Sequence, residues 1–206
     1  MKVCAISDLH LREPDLPEAD LGLIAGDLTF RGLLKEYKKS MYYLQSQREK
    51  FKDAYCTLGN HDGDLFLELG HREEFERESG WKILIDETVE VQGLKIFGSP
   101  YTPEFCNWFW SYESPTNRWR DFIQEGTDIV VTHGPPYRIL DLVERGENVG
   151  CYDLAHRLRQ VRPKAVVFGH IHSGYGQFEE DGTTYYNVSH CDEQYFGANP
   201  PTVFEI

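Results

Sequence analysis

The stretch that decides the fold is Ala54-Tyr55-Cys56-Thr57-Leu58-Gly59-Asn60-His61-Asp62. An apolar, strand-like run delivers a glycine and then three consecutive polar side chains. Asn offers a neutral oxygen ligand, His an imidazole that can carry a proton, and Asp a carboxylate that can orient it. Alone, Gly-Asn-His-Asp would pass for a polar turn, because Gly and Asn favour turns for conformational reasons. The same pattern recurs four more times, however, at Ser7-Asp8-Leu9-His10, Gly26-Asp27, Thr132-His133-Gly134 and Gly169-His170-Ile171-His172. Five apolar runs that each end in metal-ligand residue types are not explained by turns.

Working outward, residues 2–7 read as a buried strand ending at Asp8-Leu9-His10, and 21–25 as a second ending at Gly26-Asp27. Between Leu33 and Phe51 the period becomes helical, with Leu34, Tyr37, Met41 and Leu44 approximating one apolar stripe. Strand, crossover helix and strand 54–58 make the βαβ rhythm of a parallel sheet. Residues 65–79 read as a charged surface helix containing a solvated His71. Short strands follow at 81–85, 88–91 and 94–98, with Gln92-Gly93 as a hairpin turn.

Residues 99–119 hold three prolines and several aromatics, which predicts a packed loop, either satellite core or a substrate-facing rim. Strands at 129–132 and 165–168 flank a helix over 152–161 that Pro163 stops. Strands at 175–179, 184–188 and 202–206 close the chain, the first two joined at Asp181-Gly182. The 206 residues show no repeat and no linker, so one domain over 1–206 is expected.

The formal net charge of −13 argues against a long nucleic-acid partner, which calls for a basic footprint. A small anionic substrate stays possible, since bound cations invert the local potential. No apolar run approaches the ~18 residues of a membrane span. Met1 to Asp8 turns acidic too soon for a signal peptide. Five cysteines without paired spacing fit free thiols and a reducing cytoplasm.

In parallel sheets ligands bind at the carboxyl ends of the strands. Asp8, His10, Asp27, Asn60, His133, His170 and His172 would therefore meet in one place. Seven ligands suit two divalent cations sharing a bridging carboxylate, and mixed carboxylate, amide and imidazole donors suit Mn, Fe, Zn or Co.

With these blocks in order, the chain resembles the calcineurin-like metallophosphoesterase superfamily, whose motifs read Asp-x-His, Gly-Asp, Gly-Asn-His-Asp/Glu, His and Gly-His-x-His. A narrower resemblance runs through Gly98 to Trp108, His133-Gly134-Pro135-Pro136, Val149-Gly150-Cys151, Phe168 to Gly176 and Asn199-Pro200-Pro201. These segments are similar to the brain-type metallophosphodiesterases, the metallophosphoesterase-domain-containing proteins. The resemblance implies an α/β fold, a single-domain αββα four-layer sandwich of two mixed sheets flanked by helices. It also implies hydrolysis of small phosphodiesters such as 2′,3′-cyclic nucleotides, with Mn the natural assay metal. One ion would take Asp8, His10, Asp27 and His172; the other Asp27, Asn60, His133 and His170. His61 would be the general acid and Asp62 its orienting carboxylate, with attack by a metal-bridged hydroxide.

For substrate contacts, Arg31, Phe105, Asn107, Trp108 and Arg138 are the candidates. Phe105, Asn107 and Trp108 would wall a pocket for a base or aryl group. Arg31 keeps the spacing of a phosphatase arginine in Gly26-Asp27-Leu28-Thr29-Phe30-Arg31-Gly32, although Phe30 stands where Ser/Thr phosphatases carry Asp. No arginine follows Gly59-Asn60-His61-Asp62. Both departures favour a diesterase over the competing monoesterase or protein phosphatase. A metal-binding scaffold without catalysis would not need the His61-Asp62 pair.

Overall fold

Along the first strand, Val3 and Ala5 point one way and Cys4 and Ile6 the other, and all four are buried. Side chains alternate faces along a strand, so a strand buried on both faces lies inside a layered sheet. In the computed structural model this is the arrangement found. The structure describes residues 1–63, 71–113 and 118–206.

The first sheet contains β1 (Lys2–Ile6), β2 (Ala19–Ala25), β3 (Phe51–Thr57) and β4 (Lys82–Ile83). These four run parallel, and β13 (Thr202–Glu205) pairs antiparallel on the outer edge of β1. The second sheet has the order β11-β12-β10-β9-β6-β5. Its members are β5 (Glu87–Val91), β6 (Leu94–Ser99), β9 (Ile129–Thr132), β10 (Ala165–Phe168), β11 (Gly176–Glu180) and β12 (Thr183–Asn187). β6, β9, β10 and β12 are parallel, and the two outer strands are antiparallel. Both sheets are therefore mixed.

Three apolar clusters define the layers. Val3, Ala5, Leu21, Leu23 and Ala25 pack against Ile96, Ile129, Val131, Ala165 and Val167, which places one core between the sheets. Cys4, Ile6, Ile24 and Cys56 turn the other way, against Tyr37, Met41 and Leu44 of α1 (Leu34–Gln47) and Phe75 of α2 (His71–Ser79). On the far side, Val130, Val166 and Phe168 meet Trp119 of α3 (Arg118–Phe122) and Leu154 and Leu158 of α4 (Tyr152–Val161). Helix, sheet, sheet, helix is the αββα sandwich expected.

Several boundaries differ from the periodicity. Strand β3 starts at Phe51 because a 3₁₀ turn over Arg48–Lys50 ends the helical run early. Only Lys82–Ile83 of the expected 81–85 run pairs. Part of the expected 65–79 helix, 65–70, lies outside the described residues. The 99–119 segment is not merely a loop. It holds a parallel pair, β7 (Thr102–Pro103) with β8 (Ser111–Tyr112), and then α3. Pro103 is tolerated there because the pair is a two-residue sheet with open edges.

The carboxyl ends of the two sheets are tied together. Ser7 N–H donates to Val188 O at 3.0 Å, and His190 N–H donates to Ser7 O at 2.8 Å. His133 N–H reaches Ser99 O at 3.3 Å, and Gly169 N–H reaches His133 O at 2.9 Å. These backbone bonds hold the strand ends of β1, β6, β9, β10 and β12 as one platform.

Candidate metal centre

All seven expected ligands follow the carboxyl ends of β1, β2, β3, β9 and β10, and the backbone is bent to deliver them. Asp8, His10, Asp27 and His170 have φ of 52°, 42°, 55° and 69°. Non-glycine residues occupy that left-handed region at a cost, and such strain gathers at functional sites. Two glycines make room for the carboxylates. A Cβ on Gly59 would overlap Asp27 Oδ1, and one on Gly169 would overlap Asp8 Oδ2.

Four histidines share one orientation. Nδ1 donates to a backbone carbonyl in each: His10 to Thr29 O at 3.1 Å, His133 to Ala25 O at 2.9 Å, His172 to Asp192 O at 2.8 Å, and His61 to Phe30 O at 2.7 Å. A carbonyl only accepts, so Nδ1 carries the hydrogen and Nε2 is left with a lone pair. Metal-ligating histidines are held in this way. The freed nitrogens converge on oxygen. His172 Nε2 lies 3.3 Å from Asp8 Oδ1, His133 Nε2 3.4 Å and His10 Nε2 3.7 Å from Asp27 Oδ2. His133 Nε2 also faces Asn60 Oδ1 at 2.8 Å. His10 Nε2 is buried with no hydrogen-bond partner.

Lone pairs facing oxygens at these distances repel unless a proton or a cation lies between them. The donor set therefore fits divalent cations. Three clusters bring ligand atoms within 4.8 Å of one another: Asp8 with His10 and His172, Asp8 with Asp27 and His133, and His10 with Asp27 and His61. Asp8, His10 and Asp27 each belong to two of them. His170 joins through its ring, whose centroid is 4.9 Å from that of His133, while its backbone N–H donates to both Asp8 oxygens at 3.2 and 3.0 Å.

Without cations, protons fill the gap. Burial opposes charge on His133 and His172, yet Asp27 beside the first and Asp8 beside the second push both up to about 9. Burial, then the His133 charge, pushes His170 down to about 3. Burial also lowers His10. Asp8 and Asp27 are held well below the carboxylate range because the neighbouring histidines outweigh their burial.

Asp62 is placed differently from expectation. Its carboxylate accepts from Thr29 N at 2.8 Å, Thr29 Oγ1 at 3.0 Å and Gly59 N at 2.8 Å. The orienting partner of His61 is the Phe30 carbonyl instead. That carbonyl is fixed in turn by buried Glu36, whose Oε2 accepts from Phe30 N at 3.3 Å and Arg31 N at 2.7 Å. Burial, then the Asp27 charge, pushes Asp62 up to about 6. Asp62 thus ties the Thr29 and Gly59 loops together, and its hydrogen bonds among the described residues do not include the His61 ring.

A cavity of about 460 Å³ opens over the cluster, lined by Asp27, Asn60, His61, His170 and His172 on its floor. Phe105 and Trp108 form one wall. The Trp108 ring lies 4.4 Å from that of His61, tilted by 35°, and Phe105 meets His170 edge-on at 5.0 Å. The other three substrate candidates lie outside the lining. Asn107 is exposed at the loop tip with φ of 53°. Arg31 is turned to solvent where Glu36 captures its backbone, and the Arg138 guanidinium sits 5.4 Å from the centre of the Tyr137 ring. Among the described lining residues Arg145 is the one arginine or lysine, and it is paired with Glu147 at 2.7 Å.

Arg145, Val149 and Tyr195 line the cavity without having been expected. Arg145 and Val149 belong to a segment closed by the Pro136–Cys151 bridge. Buried Asp141 cinches it by accepting from Arg138 N, Gly150 N and Asn148 Nδ2. The sequence marks only its two ends, Pro135-Pro136 and Val149-Gly150-Cys151.

Two mixed sheets with an Asp–His–Asn set at their carboxyl ends define the metallophosphoesterase class of fold. The model of the calcineurin-like phosphoesterase family matches residues 1–174, and the chain belongs to that family. It is 35% identical over 232 aligned residues to metallophosphoesterase domain-containing protein 1 of Homo sapiens, covering 99% of this chain and 70% of the relative. Among solved structures it is similar to the phosphopantetheinyl hydrolase PptH of Mycobacterium tuberculosis, with a TM-score of 0.58 at 18% identity over 91% of this chain and 88% of that one. An archaeal phosphodiesterase superposes with a TM-score of 0.50 at 16% identity, over 100% and 93% of the two chains. At those identities the structural likeness speaks for the fold alone.

Proposed function

We propose that the chain is a metal-dependent phosphodiesterase acting on small diesters such as 2′,3′-cyclic nucleotides. One divalent cation would be held by Asp8, His10, Asp27 and His172, and a second by Asp27, Asn60, His133 and His170. Mn, Fe, Zn and Co all suit these donors. Bound there, the cations supply Lewis acidity toward phosphate oxygens and a nucleophile at neutral pH. His61, held through Nδ1–H by Phe30 O, would take up a second proton on Nε2 and pass that proton to the departing oxygen. Phe105 and Trp108 would stack the base or aryl group and exclude water from one side.

The observation that carries the diester assignment is the charge of the lining. Among its described residues Arg145 is the one arginine or lysine, held in a solvent-exposed pair with Glu147, so little fixed positive charge meets the second negative charge of a monoester. The whole 206-residue chain acts as one catalytic domain in this reading. Its five cysteines are free in the structure, which supports a reducing, cytoplasmic setting. No described helix is long and apolar enough to cross a membrane.

The test is a rate comparison, with Mn-loaded protein, of 2′,3′-cyclic AMP, 3′,5′-cyclic AMP, bis(p-nitrophenyl) phosphate and p-nitrophenyl phosphate. The reading requires a higher kcat/KM on at least one diester than on the monoester. A monoester preference overturns it.

A further inference from the structure

The geometry points to Tyr195 as a further substrate-binding residue, a neutral hydrogen-bond donor to the phosphate of a monoanionic diester. This rests on the phosphodiesterase reading above. Tyr195 lines the same cavity as Asp27, Asn60 and His61. Its ring stands edge-on to His10 at 4.8 Å, His172 at 5.4 Å, His61 at 6.1 Å and Phe30 at 5.0 Å. Among the described Phe, Tyr and Trp rings, none touches more histidines of the centre. Its hydroxyl has no hydrogen-bond partner among the described residues, and the neighbouring His10 Nε2 is likewise without one.

The chain goes to some trouble to hold this ring. Tyr195 has φ of 62°, a region that a bulky side chain avoids without outside restraint. The restraint comes from two sources. Arg12, two residues after His10, donates Nε and Nη2 to the Tyr195 carbonyl at 3.1 and 2.7 Å. Asp192 organises the turn from inside: Oδ1 accepts from Gln194 N at 3.0 Å and Phe196 N at 2.9 Å, and its carbonyl accepts from Tyr195 N at 2.9 Å. The same Asp192 carbonyl receives His172 Nδ1–H. One turn thus fixes a metal-ligand candidate and places a phenol beside it.

A neutral donor suits this cavity. A phosphodiester carries a single negative charge, and the one described guanidinium of the lining, Arg145, stands exposed beside Glu147. A phenol supplies a directional hydrogen bond without the desolvation of a second cation. Arg12 is then a positioning residue that acts through Tyr195.

The experiment is kinetics of Mn-loaded Tyr195→Phe on 2′,3′-cyclic AMP and bis(p-nitrophenyl) phosphate, with metal content measured on the same samples. Phenylalanine keeps the ring contacts and removes only the hydroxyl. The expected loss in kcat/KM is about ten- to a hundredfold on both diesters, the scale of one hydrogen bond to a charged group, at unchanged metal content and melting temperature. Arg12→Ala completes a double-mutant cycle. It should cost activity in the wild-type background and little more in the Tyr195→Phe background, a coupling that general destabilisation would not produce. An active wild type with Tyr195→Phe within twofold of it overturns this inference alone. So does a loss that tracks loss of metal. A wild type that cleaves neither diester overturns the functional reading and this inference with it.

Discussion

His133 Nε2 and Asn60 Oδ1 face each other at 2.8 Å, two acceptors directed at one point. His133 is locked in this tautomer because Nδ1–H is committed to Ala25 O. A proton can relieve the contact in the metal-free protein, and a divalent cation relieves it better. The pair joins β3 to β9, one from each sheet, so the centre forms only when the sandwich has closed.

From the protons held there follows a pH dependence. His133 and His172 are pushed up to about 9 without cations, so both are protonated at pH 7. A cation requires bare Nε2, and binding must therefore release protons. Metal affinity should rise with pH between 6 and 9 and level off above, by up to about tenfold per pH unit for each proton displaced. Calorimetric Mn titrations in two buffers of different ionisation enthalpy measure the release. Affinity independent of pH across that range contradicts the assignment.

Asp27 and Asn60 should differ in weight. Asn60→Ala removes a neutral oxygen from one ion and should weaken the binding of that ion. Asp27→Asn removes the charge that faces His10 and His133 together, and should cost more in both affinity and turnover. Equal effects would mean that Asp27 serves one ion only.

Asp62→Asn separates loop-holding from catalysis. The carboxylate accepts from three donors, and an amide would turn N–H groups toward some of them. An unsatisfied buried donor costs about 1–3 kcal/mol, which for a chain of this size is a drop of roughly 2–10 °C in Tm. Thermal unfolding should show that drop, while the pH profile of turnover keeps its shape. A stable variant with a displaced pH profile would restore Asp62 as the partner of His61.

Trp108 is more than a third exposed and lies against His61. Stacking contributes roughly 1–3 kcal/mol per base, so Trp108→Ala should raise KM for a cyclic nucleotide by about five- to a hundredfold and leave Tm nearly unchanged. A sharp fall in Tm with KM constant would assign the side chain to satellite core.

The parts of this site legible in the sequence are those whose chemistry sits in the side chain at a strand end. Asp8, Asp27, Asn60 and His133 each follow an apolar run, and strand ends in a parallel sheet have one place to go. What the sequence concealed is carried by backbone or by distant pairing. The Phe30 carbonyl that meets His61 Nδ1 has no residue-type signature, whereas the carboxylate of adjacent Asp62 has one. β7 and β8 pair across an aromatic loop through two residues each, too short for any periodicity. Tyr195 lies in a polar turn whose placement depends on Arg12, 183 positions away. Arg31 kept a familiar spacing, but Glu36 holds its backbone outside the cavity.

The most direct test of the account is anomalous diffraction from a crystal loaded with Mn. Two peaks that share Asp27 are expected, one contacting Asp8, His10 and His172, the other Asn60, His133 and His170. A single peak, or a pair without Asp27 between them, would contradict it.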